Sequence, residues 1–96
     1  MEGEPFDGGR AKKLIVKILH EGTFSPSVHA DKELAKDDMS DMDVVNVLRA
    51  GRIYEPAEFV HGSWRYRVHT PRMTVVVAFR GESEFVIVTG WRKKHR

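Results

Sequence analysis

Residues 64–69, Trp-Arg-Tyr-Arg-Val-His, alternate strictly between an apolar side chain and a cationic or titratable one. Successive side chains on an extended strand point to opposite faces. Trp64, Tyr66 and Val68 therefore share one face, and Arg65, Arg67 and His69 share the other. A guanidinium matches the oxygens of a phosphate in a bidentate fork, and an imidazole exchanges protons near neutral pH. Metal-independent RNA cleavage needs such groups. A base takes the proton of the ribose 2′-hydroxyl, cations stabilise the charged phosphorane, and an acid protonates the leaving oxygen. Arg72 and the terminal run Arg92-Lys93-Lys94-His95-Arg96 extend the row if the fold brings them near it. An ordinary solvated sheet face would show the same pattern, and at this level both readings stand.

Other chemistries have less support. There are no cysteines, which excludes disulfides, thiolate nucleophiles and cysteine zinc sites. His20, His29, His61, His69 and His95 have no metal-ligand spacing, and Asp37, Asp38, Asp41 and Asp43 do not follow a calcium-loop pattern. The acidic cluster reads as a solvated helix surface. No serine is framed as a nucleophile elbow, and no glycine-rich loop could cradle a nucleotide. A helix-turn-helix over residues 28–50 would present an acidic recognition helix, which is wrong for DNA. Neither a metal nor a cofactor is expected.

The elements that must position the row can be read from periodicity. Ninety-six residues form one domain, expected over residues 10–94, between a flexible tail at residues 1–9 and a basic end at residues 95–96. Ala11, Leu14, Ile15, Ile18 and Leu19 make a helical stripe, ended by Gly22. Phe24 to Ser27 reads as a connector, with Ser27 capping a short second helix. Ser40 caps a third, with Asp43 completing a capping box and Gly51 ending the helix. After Gly51 the period becomes two. A first strand is interrupted by Pro56, and the strand at residues 64–69 follows. Met73 to Phe79 reads as an apolar central strand, and Phe85 to Trp91 as the last, with Gly90 as a bulge and Trp91 more at home in the core. The expected class is α+β, with N-terminal helices packed on an antiparallel meander of three to four strands.

Charge is divided along this order. Residues 1–62 hold 8 Lys/Arg against 12 Asp/Glu, and residues 63–96 hold 8 against 2. Such asymmetry points to an anionic partner or to two halves that neutralise one another. No apolar run approaches the ~20 residues of a membrane helix, so a cytoplasmic protein without membrane contact is expected.

The order Ser27-x-His29-Ala30, Asp43-Val44-x-x-Val47-Leu48-x-x-Gly51, Trp64-x-Tyr66-x-Val68, Thr74-Val75-Val76-Val77 and Val86-Ile87-Val88-Thr89-x-Trp91-Arg92-Lys93 resembles a family of small bacterial domains. That family is grouped by similarity with MqsR- and RelE-like toxins, and the resemblance runs from about Lys13 to Lys94. It implies a RelE-like fold, a type II toxin that cuts messenger RNA without metal, and an antitoxin protein as partner. Carried to these positions, it makes His69, Arg67 and His29 the catalytic candidates and Arg65, Arg72, Arg92 and Lys93 the RNA- and phosphate-binding ones. His29 is equally suited to a structural role at a helix start. A non-catalytic module that binds nucleic acid or protein through a basic sheet face is the alternative.

Overall fold

The computed structural model describes residues 1–94, so His95 and Arg96 of the expected basic end lie outside the described residues. The chain runs α1 (Gly8–Glu21), β1 (Thr23–Pro26), α2 (Val28–Lys36), α3 (Asp41–Ala50), β2 (Arg52–Val60), β3 (Ser63–His69), β4 (Met73–Gly81) and β5 (Glu84–Arg92). The class is α+β: three helices and one five-stranded mixed sheet of order β1-β5-β4-β3-β2.

Each helix begins where a short polar side chain can accept from the exposed amides of its first turn. Asp7 accepts from the Arg10 amide at 2.8 Å, Ser27 from Ala30 at 3.0 Å and Ser40 from Asp43 at 3.1 Å. Asp43 returns the bond to the Ser40 amide at 2.9 Å, the reciprocal pair of a capping box. That bond is the main reason the Asp43 carboxyl is held below the usual carboxylate range.

The strands β2 to β5 are consecutive antiparallel neighbours. The segment read as a connector is instead the fifth strand. Thr23 to Pro26 pair parallel with Glu84 to Ile87. A four-residue edge strand with exposed Ser25 and Pro26 is too short and too polar to show alternation, and only its distant partner defines it.

One face of the sheet carries the core. Ala11, Ile15 and Ile18 of α1, Ala30 and Leu34 of α2, and Val44, Val47 and Leu48 of α3 cluster with Tyr66, Val68, Val75, Val77, Phe79, Phe85 and Ile87. Gly90, read as a bulge, is a regular pair with Val75 and lies under α2, where a Cβ would come within 2.8 Å of a Leu34 methyl. The bulge falls at Val88, the residue skipped between the pairs Val76↔Thr89 and Val77↔Ile87. Pro56 sits within an irregularity of edge strand β2, as its missing amide requires.

Within residues 1–9, expected as a flexible tail, Glu4 and Phe6 are held at the sheet, and Gly8 and Gly9 already belong to α1. Phe6 is buried, stacks on Tyr66 with ring centroids 6.2 Å apart, and lies 5.9 Å from the Phe79 ring. Its amide donates to the Tyr66 hydroxyl at 3.0 Å, and that hydroxyl donates to Glu4 Oε2 at 2.9 Å. A single aromatic in a polar, glycine-rich stretch has no periodicity to mark it as core, which is why pattern reading passes over it.

Candidate nucleic-acid interface

The alternation of β3 survives in the structure. Tyr66 and Val68 are fully buried on the helical side, while Arg65, Arg67 and His69 stand half-exposed on the other. Directly paired residues share a face, so β2 adds Arg52, Tyr54 and Glu58 to this surface, opposite His69, Arg67 and Arg65. On β4 the same face carries Thr74 and Val76 by pairing and Ala78 by alternation, and Arg80 follows at an irregularity of the strand. Val76 and Ala78 lie outside the main core cluster yet are buried, low ground between longer side chains on either side.

Two clefts open on this face. The larger, about 540 Å³, is lined by Ser27, His29, His61, Ser63, Arg65, Ala78, Phe79, Arg80, Val86 and Val88. The smaller, about 330 Å³, is lined by Tyr54, Arg67, His69, Thr74, Trp91 and Lys93. Neither lining includes an aspartate or glutamate. The row of β3 is therefore divided, with Arg65 turned to one cleft and Arg67 and His69 to the other.

In the smaller cleft, the Lys93 ammonium donates to the Thr70 carbonyl at 2.7 Å and lies 3.3 Å from His69 Nδ1. An ammonium has no acceptor, so that bond runs from lysine to imidazole and leaves the hydrogen of the neutral ring on Nε2. The Tyr54 ring meets His69 edge-on at 5.9 Å. Arg67 forms an ion pair with Glu58, its diagonal neighbour across the β2 irregularity. Trp91, expected in the core, is 38% exposed, pairs with Thr74 and forms part of the cleft wall. The displacement follows from the bulge at Val88, which reverses the alternation of β5 beyond it.

In the larger cleft, His29 enters from the first turn of α2, its ring 3.9 Å from Glu33. His61 enters from the β2–β3 hairpin, whose two turn residues, His61 and Gly62, have φ of 48° and 82°. That pair of left-handed residues is what a two-residue hairpin needs. Arg65 Nε is buried with no hydrogen-bond partner among the described residues.

The remaining expected site residues lie elsewhere. Arg72 is exposed in the β3–β4 turn and lines neither cleft; its carbonyl accepts from the Lys93 amide at 2.8 Å. Arg92 is directed at the acidic loop between α2 and α3. Its amide donates to Asp37 Oδ2 at 2.7 Å, and its guanidinium donates to the carbonyls of Asp37 and Asp38, both at 2.9 Å, and to Asp43 Oδ2 at 3.3 Å. Expected as a phosphate ligand, Arg92 is instead a clasp between the last strand and the helices. The acidic cluster, read as a solvated surface, supplies that clasp.

His61, Arg80 and Tyr54 were not among the sequence candidates. Neither Arg80 nor His61 carries a periodic signal: Arg80 sits at an irregularity between Phe79 and Gly81, and His61 is a turn residue. Among the described residues, no three of His, Cys, Asp or Glu converge as metal ligands, and no helix is long and apolar enough to cross a membrane. Compared with known proteins, the chain matches no family model, no curated protein and no solved structure.

Proposed function

We propose that this chain is a metal-independent endoribonuclease of the type II toxin kind, with a RelE-like fold, that holds RNA on the helix-free face of its sheet. One observation carries the reading: cationic and aromatic side chains collect in two clefts of that face with no carboxylate in either lining. A polyanion approaching the face meets guanidiniums, an ammonium and imidazoles, while Tyr54 and Trp91 offer rings on which unpaired bases stack.

In the smaller cleft, a phosphodiester lodged between Arg67 and Lys93 competes for the Lys93 ammonium and frees His69 Nδ1. His69 then accepts the 2′-hydroxyl proton. The O2′–P bond forms, the P–O5′ bond breaks, and the leaving O5′ takes a proton from solvent. The products are a 2′,3′-cyclic phosphate and a 5′-hydroxyl. Arg67 and Lys93 stabilise the phosphorane, and an antitoxin that covers this face would silence it.

Incubating purified protein with RNA in excess chelator tests this directly. Fragments with cyclic phosphate and 5′-hydroxyl ends are expected, and they should vanish with His69→Ala. In bacteria, induced expression should arrest growth, and Arg67→Ala or His69→Ala should relieve the arrest. Healthy growth with abundant folded protein overturns the toxin reading. A second reading, an RNA-binding module without catalysis, is favoured by the engaged state of both groups, Arg67 by Glu58 and His69 by Lys93. It predicts salt-sensitive RNA binding that leaves the RNA intact.

A further inference from the structure

The larger cleft contains an arrangement that neither the core nor the smaller cleft requires. Arg65 of β3 and Arg80 of β4 line this cleft together with His29 and His61. They stand on adjacent strands and share one cleft, with no carboxylate in its lining. Like charges in that relation repel. Among the described residues, no carboxylate lies within ion-pair distance of either. Glu58, which the register places opposite Arg65, is taken by Arg67 instead. The buried Arg65 Nε lacks a protein acceptor, and a buried donor without an acceptor is unfavourable until something supplies one.

We infer that the Arg65–Arg80 pair is a phosphate seat, with His61 at its rim. Phosphate has enough oxygens to accept from two guanidinium forks at once, and its charge removes the repulsion between them. A backbone phosphodiester keeps two non-bridging oxygens, one for each guanidinium. The choice of a backbone phosphate of RNA rests on the reading above, whereas the seat itself requires only the phosphate group. This cleft then grips the strand beside the point where His69 acts, so the two clefts hold different phosphates of one chain.

The test is a titration of the whole chain with sodium phosphate at low ionic strength, followed through the Arg Nε–H resonances by NMR. A saturable shift of the Arg65 Nε–H signal is expected. Arg65→Gln or Arg80→Gln should weaken phosphate binding at this cleft roughly tenfold, and Arg72→Gln, in a turn outside both clefts, should leave it unchanged. Thermal melts confirm that each variant is folded, and Arg65→Lys, which keeps the charge but not the fork, should bind more weakly than wild type. Absence of a saturable shift, or equal weakening by Arg72→Gln, overturns the seat. A short oligoribonucleotide added last should displace the phosphate. If phosphate saturates the pair but the oligoribonucleotide does not bind, the seat stands for free phosphate and the RNA reading falls. If RNA binds Arg65→Gln and Arg80→Gln as tightly as wild type, the seat falls and the RNA reading stands.

Discussion

The two faces of β3 are built from alternate residues of one strand, yet they do different work. Tyr66 and Val68 are fully buried and hold the helices and the N-terminal segment to the sheet. Arg65, Arg67 and His69, each one residue away, stay half-exposed on the open face, where Glu58 meets Arg67 and Lys93 meets His69. A second contrast sharpens the first. Arg92 has the same side chain as Arg65, but it meets two backbone carbonyls of the α2–α3 loop and the Asp43 carboxylate of α3, whereas Arg65 meets no carboxylate. A cation to which the fold brings no anion of its own is the more available to an outside partner.

Substitutions should separate the two faces cleanly. Tyr66→Ala removes a buried ring that packs on Phe6 and Phe79, and about 3–5 kcal/mol of stability should go with it in urea unfolding. If that variant kept its stability but lost RNA affinity, the division of labour between the faces would be wrong. On the open face, Arg65→Gln should leave stability within about 0.5 kcal/mol and lower RNA affinity roughly tenfold, about 1.4 kcal/mol, by a salt-controlled binding assay. Arg92→Ala should do the reverse. It should lose about 1 kcal/mol of stability with its bonds to the acidic loop, and RNA affinity should not change. A marked loss of RNA affinity would return Arg92 to the site.

The smallest effect at neutral pH concerns Tyr66 itself. Burial, with the adjacent Glu4 carboxylate adding to it, pushes its hydroxyl up from 10.0 to about 12. The folded state therefore holds this proton more tightly than the unfolded one. The associated stability is complete below pH 10 and is lost as pH rises toward 12. Melting temperature should fall more steeply across that window in wild type than in Tyr66→Phe. Equal slopes would show that the hydroxyl titrates as if unburied.

Much of this was legible in the residues. The helical stripes and the Ser27 and Ser40 caps depend on contacts three or four positions apart and could be read directly, whereas the Asp7 cap of α1 fell in the stretch read as a tail. The two faces of β3 follow from a period of two. Beyond that reach, reading stopped. His29 and Arg65 share a cleft, as do His69 and Lys93, but no spacing announces either pairing. Trp91 changed faces because of one skipped residue at Val88, a slip that period-two counting cannot foresee.

What the sequence determined by itself was local: the α+β class, the capped helices, and a strand with an apolar side and a cationic side. These rest on backbone geometry and near neighbours. Tertiary structure decided the rest. It added β1 to the sheet through a parallel pairing with β5, buried Phe6 against Tyr66 sixty residues away, and sorted the arginines into those neutralised within the fold and those left facing outward. Net charge counts every arginine alike. Which ones can bind an outside anion depends on carboxylates far off in the chain, because ion pairing acts across space and is blind to sequence order.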